Sequence, residues 1–175
     1  NILRSLKDHG RKPGSLYFNH IRHGLNFRMN VLPAAIVLSE VKNFWRVFKK
    51  RKQNLNYLLK KTEKLKDFAY FNVEEPHEIT SPHAFSITLK NPQYDYKRLY
   101  RFLEKNSIEC KRNFGSMPTQ QGAFKFLGRK IGEFPEAEYV GNNGLHIGVH
   151  QYLSKKDLDY VVEILNRYFK KNKAI

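Results

Sequence analysis

The stretch Ala84-Phe85-Ser86-Ile87-Thr88-Leu89 alternates apolar and polar side chains. A period of two is typical of a β-strand with one buried face. Apolar spacings of three and four over residues 96–104 predict a short amphipathic helix that ends near Asn106, and residues 108–111 predict a second strand. Residues 145–149 alternate in the same way and predict a third strand.

A long helix is predicted upstream of these strands and should extend to about residue 61. Asn30 can cap its first turn and Pro33 is tolerated only in a first turn, so the helix should start between residues 31 and 33. One face of this helix is basic. The other carries the apolar side chains at helical spacing, which are Ile36, Phe44, Val47, Phe48, Leu55, Leu58 and Leu59.

A last helix is predicted after Ser154, because Ser154-Lys155-Lys156-Asp157 has the spacing of a capping box, with Asp in place of the usual Glu. Residues 113–143 hold five Gly and two Pro with weak periodicity, which predicts mostly loop with one helical turn near residues 123–127. The order of elements predicts an α/β fold, in which a small layer of strands and helices is attached to a long helical spine.

The composition sets limits on partners and compartment. The 175 residues include 32 Lys and Arg against 16 Asp and Glu, a net charge of +16 that favours anionic partners such as nucleic acid, a membrane surface or phosphorylated small molecules. Cys110 is the only cysteine, so an internal disulfide is excluded. No secretory signal and no apolar run of about 18 residues is present, which favours a soluble cytoplasmic protein. The first residue is Asn rather than Met, as in a fragment of a longer protein.

Strong catalytic and metal-binding motifs are missing from the sequence: it has no Gly-rich phosphate loop, paired-cysteine zinc spacing, Gly-x-Ser-x-Gly elbow or His-Glu-x-x-His helix. His146 and His150 are four apart but fall on or beside a predicted strand, where that spacing does not make them neighbours. A structural or substrate-facing histidine is therefore favoured over a metal ligand.

The polar segment of residues 20–30 lies immediately before the long helix. A helix N-terminus offers free backbone donors and a positive dipole end, and Asn26 and Arg28 can add side-chain donors, so the segment could bind a phosphate. The alternative is a turn at Asn26 with Arg28 on a solvated surface. A second alternative assigns the basic helix face and the Lys-rich C-terminus to nucleic acid, although most such charge runs are only solvated surface.

The motifs of the N-terminal region resemble a known family. Residues 5–10, Ser-Leu-Lys-Asp-His-Gly, residues 24–30, Gly-Leu-Asn-Phe-Arg-Met-Asn, and residues 32–36 resemble the second half of the DegT/DnrJ/EryC1/StrS family. Its members are the pyridoxal-phosphate-dependent sugar aminotransferases of fold type I, which resemble aspartate aminotransferase. Residues 145–165 resemble the family's closing strand and helix, so the resemblance covers essentially the whole chain.

Within the family, the chain is most similar to the branch that acts on nucleotide-linked 4-keto-6-deoxy sugars and includes the 3-dehydratases. That branch has a Gly-Asn-x-x-Arg-Gln-Pro motif in its substrate loop. The same register here reads Gly115, Ser116, Thr119, Gln120 and Gln121, so only the Gly and Gln120 match and the Arg is replaced.

The resemblance implies roles for individual residues. Asn26 matches the Asn that reaches across the dimer to the cofactor phosphate of the neighbouring subunit, Arg28 matches the basic residue beside it, and His9 matches the histidine of the Asp-His-Gly motif near the cofactor. Gln120 and His150 match the substrate side. No catalytic residue is expected in this chain, because the reactive Lys of an aminotransferase, or the His of a dehydratase, is expected upstream of Asn1.

The resemblance also implies a domain plan and a function. Residues 1–65 would form the dimer-contact segment and spine helix, residues 66–175 the small C-terminal domain, and the N-terminal cofactor-binding large domain would be absent. The function implied is that of the C-terminal part of an aminotransferase with pyridoxal 5'-phosphate (PLP), a homodimer in polysaccharide biosynthesis that uses a nucleotide sugar and an amino donor, usually glutamate. This chain alone would be inactive. The alternatives are a PLP-dependent 3-dehydratase of the same fold and a noncatalytic nucleic-acid-binding domain.

Overall fold

A computed structural model describes residues 1–16, 19–91, 94–113 and 117–171. The chain divides into two compact units, Asn1–Phe44 and Trp45–Ile175. The division falls inside the long helix α2, Val31–Lys61, so the first half of this helix belongs to the smaller unit and its second half to the larger one.

The smaller unit contains the short helix α1, Ile2–Leu6, then a loop region and the first half of α2. The sequence predicted only loop before α2, because five residues are too few to show a helical period. The predicted start of α2 is confirmed, since the helix begins at Val31 and the Asn30 side chain accepts a hydrogen bond from the N–H of Leu32 at 3.2 Å.

The apolar stripe of α2 is buried only in the larger unit. Leu58 is completely buried, whereas Ile36 is 66% exposed and Phe44 is 47% exposed. Among the described residues of the smaller unit, only Ser5 and Gly10 are buried. The first half of the helix therefore presents an uncovered apolar surface.

The larger unit is built on a four-stranded antiparallel sheet in the order β1-β2-β4-β3. The strands are β1, Ala69–Phe71, β2, Ala84–Leu89, β3, Cys110–Arg112, and β4, Gly144–Gly148. The prediction of β2 is confirmed, and the register pairs Phe85 with Ile147 and Ile87 with Leu145 on the core face.

The edge strand β3 begins later than residues 108–111 predict. The N–H of Ile108 donates to the carbonyl of Leu103, so this residue closes the preceding helix and the pairing with β4 begins only at Cys110. The N–H of Cys110, on the open edge of the sheet, donates to the Glu104 carboxylate at 3.1 Å. Strand β1 was not predicted, because three residues are too few to show alternation.

Two further helices, α3, Tyr96–Lys105, and α5, Lys155–Lys171, supply core side chains, as does the second half of α2. The capping box is confirmed: the Ser154 hydroxyl accepts from the N–H of Asp157 at 3.2 Å, and the Asp157 carboxylate accepts from the N–H of Ser154 at 2.8 Å. The largest fully buried side chains of this core are Phe85, Phe169, Leu58, Ile87, Leu89, Leu99, Leu103, Leu145, Ile164 and Leu165.

The predicted loop of residues 113–143 contains an unpredicted helix, α4, Pro135–Asn143, besides the 3₁₀ turns Pro118–Gln120 and Gly122–Leu127. Pro135 is accommodated in the first turn, and Glu138 accepts hydrogen bonds from the N–H groups of Gly132 and Phe134. The buried Gly141 and the two following Asn residues hide the helical period in the sequence.

The α/β fold class and the long N-terminal helix are thus confirmed. No helix in the described part of the chain combines the length and the apolar character that a membrane crossing requires.

Candidate functional site

The Asp-His-Gly segment lies beside the Gly-Leu-Asn-Phe-Arg-Met segment in the smaller unit. Three backbone hydrogen bonds join them: the N–H of Leu25 donates to the carbonyl of Leu6 at 2.8 Å, that of Phe27 to Lys7 at 2.9 Å, and that of His9 to Leu25 at 3.1 Å. Asp8 and Asn26 form the corresponding antiparallel bridge. Two motifs that are separated in the sequence therefore make one structural element.

Two glycines allow the segments to approach this closely. A Cβ on Gly10 would lie 1.7 Å from the carbonyl oxygen of Arg22, and a Cβ on Gly24 would lie 2.1 Å from the backbone nitrogen of Gly10. Gly10 also has a φ of +76°, a backbone conformation that L side chains rarely adopt. Both motifs therefore require glycine at these positions.

Arg28 is paired with Asp8 across the two segments. Its Nε donates to the Asp8 carboxylate at 2.8 Å, and its Nη2 donates to the same oxygen. The hydrogen bond from Arg28 holds the pKa of Asp8 below its usual range, and the charges of Arg28 and Arg11 act in the same direction. The ion pair fixes the direction of the guanidinium and offsets its charge.

Asn26 and His9 complete the group predicted at the cofactor. The side chain of Asn26 is exposed beside the Asp8–Arg28 pair. His9 has a positive φ of 56°, and its carbonyl lies 2.9 Å from Nδ1 of His20. The structure therefore brings His9, Asn26 and Arg28 together in the smaller unit.

Gln120 belongs to the larger unit. Its Nε2 donates to the carbonyl of Lys130 at 2.6 Å and to the Glu138 carboxylate at 2.7 Å. The bond from Gln120 lowers the pKa of Glu138, and the N–H of Gly132 lowers it further. Gly115 and Ser116, which the loop motif also includes, lie outside the described residues.

His150 follows the C-terminal end of β4 and is exposed. The buried Asn54 of α2 holds its backbone, because Nδ2 of Asn54 donates to the carbonyl of His150 at 2.9 Å. No hydrogen bond, ion pair or ring contact joins Gln120 to His150 within the described ranges, so the structure does not bring the two predicted substrate residues together.

A polar network on the outer face of the sheet was not predicted. Nδ2 of Asn113 donates to Oγ of Ser86 at 2.9 Å, and Oδ1 of Asn113 is 3.0 Å from Nδ1 of His146. Burial, together with the nearby His83 and Lys111, lowers the pKa of His146. The sequence gives no signal for this network, because its members come from three separate segments.

The chain shares this fold, with its antiparallel sheet, covering helices and long helix α2, with solved structures of sugar aminotransferases. The chain belongs to the DegT/DnrJ/EryC1/StrS aminotransferase family, whose sequence model matches residues 1–166.

Individual relatives agree with this membership. The chain is 28% identical to the GDP-4-keto-6-deoxy-D-mannose 3-dehydratase of Escherichia coli O55:H7 over 151 residues. The matched region covers 85% of this chain and 38% of that protein. It is 26% identical over 156 residues to the lipopolysaccharide biosynthesis protein RfbH of Salmonella typhimurium, and the matched region covers 87% of this chain and 35% of that protein. The chain thus spans less than half the length of these relatives.

Solved structures share the fold. The PLP-form of a putative sugar aminotransferase from Streptococcus pneumoniae superposes with a TM-score of 0.77 at 18% sequence identity, covering 91% of this chain and 40% of that one.

Proposed function

We propose that this chain is the C-terminal part of a PLP-dependent aminotransferase that acts on a nucleotide-linked keto-deoxy sugar in polysaccharide biosynthesis. The observation that carries the proposal is the pairing of the Asp-His-Gly and Gly-Leu-Asn-Phe-Arg-Met segments, because it holds Asn26 beside Arg28. The name of the lipopolysaccharide biosynthesis relative supports the pathway class.

The residues present fit the phosphate of PLP. The exposed amide of Asn26 has two N–H donors, and the half-exposed guanidinium of Arg28 keeps donors besides those that bind Asp8. Because Asp8 offsets its charge, Arg28 would orient and hydrogen-bond the phosphate more than attract it. His9 would support the turn beside it. When bound, PLP supplies an electron sink, and the protein supplies orientation.

The dimer belongs to the same proposal. In the family's arrangement, Asn26 serves the cofactor of the neighbouring subunit, so each subunit would complete the other's site. The exposed apolar surface of the smaller unit supports such a contact, since patches of this kind usually mark interfaces. Its large exposed side chains include Leu25, Phe27, Met29, Val31, Leu32, Ile36 and Val41.

Gln120 and His150 are assigned to the binding of the sugar substrate, as the family resemblance implies. The domain plan is also kept, with residues 1–65 as the contact segment and spine and residues 66–175 as the small domain. The glutamate donor and the inactivity of this chain by itself complete the proposal.

The second candidate is a PLP-dependent 3-dehydratase, which the name of the Escherichia coli relative favours. The coding sequence before Asn1 decides between them: Lys at the reactive position indicates an aminotransferase, and His indicates a dehydratase. The complete protein should then be assayed with GDP-4-keto-6-deoxy-D-mannose and glutamate. An amino sugar formed with equimolar 2-oxoglutarate supports the first reaction, and a 3-deoxy keto sugar supports the second.

The assignment of Asn26 has its own test in the complete protein. Asn26→Ala should weaken PLP retention by at least about tenfold, the loss of roughly 1.4 kcal/mol expected for hydrogen bonds to a charged group. Asn19→Ala, at another exposed position of the same unit, is the matched control. Equal PLP retention in the two variants would contradict the assignment. The 175-residue chain alone should show no saturable absorbance band with PLP.

A further inference from the structure

The larger unit carries a cleft of about 610 Å³ at the C-terminal end of β4. The pairing of β3 with β4 ends at Cys110 and Ile147, so residues 107–109 separate from residues 148–150 and leave a space between them. The start of α5 closes its far side. This volume lies within the range of about 300–1,000 Å³ that is usual for small-molecule sites.

The floor of the cleft is apolar. Its accessible apolar surface comes from Tyr160, which is 43% exposed, and from the half-buried Leu153, while the buried Val149 lies beneath them. Cys110 adds a thiol whose pKa is raised to about 12, chiefly by burial, so it contributes no charge at neutral pH. Such a floor favours a ring or an alkyl group over a hydrated ion.

His146 offers one oriented hydrogen-bond acceptor in the wall. Asn113 donates through Nδ2 to Ser86, so its Oδ1 accepts from His146 and the imidazole proton is on Nδ1. Nε2 of the neutral ring is then an acceptor. A ligand hydroxyl or amine is the complementary group.

The rim favours an anion. Three cations line it, Arg51, Lys111 and Lys156, against two carboxylates. Asp157 is engaged by the N–H and hydroxyl of Ser154, and Glu109 lies 3.6 Å from Lys111, where both side chains are more than 70% exposed. Such exposed pairs are weak, so Lys111 can turn to a ligand.

A second hollow, of about 1,280 Å³, lies between the ends of α2 and α5. Its lining is formed by charged and amide side chains, among them Lys60, Lys64 and Arg167. Because it has no apolar floor, it would remove little apolar ligand surface from water. The cleft at β4 is therefore the stronger candidate.

We propose that the cleft at the end of β4 binds a small organic anion that combines a ring or alkyl body, a carboxylate or phosphate group, and a hydroxyl or amine donor. The body lies against Leu153 and Tyr160, the anion lies between Lys111 and Lys156, and the donor meets Nε2 of His146. This inference shares His150 with the substrate side of the proposed function and deepens it, whereas the binding test below uses only groups of this chain and needs no reaction of the complete protein.

The test is a titration of the ¹⁵N-labelled 175-residue chain, observed by NMR. The chain is titrated with two aryl anions, 4-hydroxyphenyl phosphate and 4-hydroxyphenylacetate. Comparing them distinguishes a phosphate ligand from a carboxylate ligand. We expect saturable shifts of the Lys111 and Gly148 amides, with a Kd on the order of 1 mM or tighter for at least one of them. Inorganic phosphate should bind at least about tenfold more weakly, because it does not use the floor.

Two matched comparisons test the contacts. 4-Methoxyphenyl phosphate lacks the donor and should bind at least about threefold more weakly than 4-hydroxyphenyl phosphate. Lys156→Ala should weaken binding of the preferred aryl anion by a similar factor, whereas Lys155→Ala, one residue away and outside the cleft, should not. The proposal is overturned if neither aryl anion gives saturable shifts up to about 10 mM. Equal losses in the two lysine variants, or shifts confined to residues 60–64, would overturn it as well.

Discussion

Gly144→Ala should be among the most destabilising single-methyl additions in the larger unit. The added Cβ would lie 2.4 Å from the carbonyl oxygen of Val140 and 2.4 Å from Nδ2 of Asn113. The first neighbour is helix backbone and cannot move alone. The second can move only by giving up its bonds to Ser86 and His146.

The expected loss follows from these contacts. Overpacking of a filled interior costs about 1–3 kcal/mol, and each neutral hydrogen bond lost adds about 1 kcal/mol. A total of roughly 3 kcal/mol should lower the melting temperature by about 10 °C in a domain of this size. Gly148→Ala is the matched control on the same strand, since its nearest neighbour is an ordinary 3.8 Å contact with His150. It should change stability by less than about 0.5 kcal/mol.

Thermal unfolding followed by far-UV circular dichroism measures both variants. The NMR signals of the His146 ring give a second readout, because Gly144→Ala should displace Asn113, which orients the ring, and Gly148→Ala should not. If the two variants melt within about 2 °C of each other, the packing at Gly144 is not as close as described.

The remaining predictions concern three other sites. Gly10→Ala should reduce hydrogen-exchange protection of the Leu25 and Phe27 amides at least about tenfold more than Gly14→Ala does. Gly14 is the control because it has nearly the same φ, +77°, but a Cβ there would meet no atom within 4 Å. Equal losses of protection in the two variants would show that only backbone strain matters. Ser154→Ala should cost about 1 kcal/mol in urea unfolding at pH 7, with Lys155→Ala as control. Hydrogen bonds from Ser154 lower the pKa of Asp157, so the contribution of the Asp157 carboxylate is complete above the unfolded pKa of about 3.9 and is lost as the pH falls through the lower folded value. The hydroxyl still accepts from the N–H of Asp157 at low pH, so Ser154→Ala should cost less at pH 2 than at pH 7, and an unchanged cost would contradict the role of the carboxylate. Cys110, with a pKa of about 12 and only 3% exposed, should react with iodoacetamide at pH 8 at least about a hundredfold more slowly in the folded chain than in urea, and comparable rates would contradict its burial.

The sequence was sufficient for the elements whose periodicity is long. Strand β2 and helices α2, α3 and α5 were predicted because their apolar spacing extends over six residues or more. Helix α4 was missed because it depends on hydrogen bonds between Glu138 and the preceding backbone, and on a Gly that packs closely. Neither feature leaves a periodic pattern.

The candidate site was predicted in part. The motifs place Asn26 and Arg28 before α2, and in the structure both lie beside the Asp-His-Gly segment. The pairing of Arg28 with Asp8 could not be predicted, because 20 residues separate them and only the folded backbone brings them together. The network of His146, Asn113 and Ser86 likewise depends on strand register, which the strand patterns alone do not specify.

The contact between Gly10 and Gly24 also constrains how this protein can evolve. A side chain gained at either position cannot be accommodated by a smaller residue at the other, because both are already glycine and the obstacle is backbone. The two positions therefore have no compensating pair of substitutions. They should be inherited as a single unit, and recombination that exchanges one segment for that of a homologue should succeed only when the donor also has glycine there.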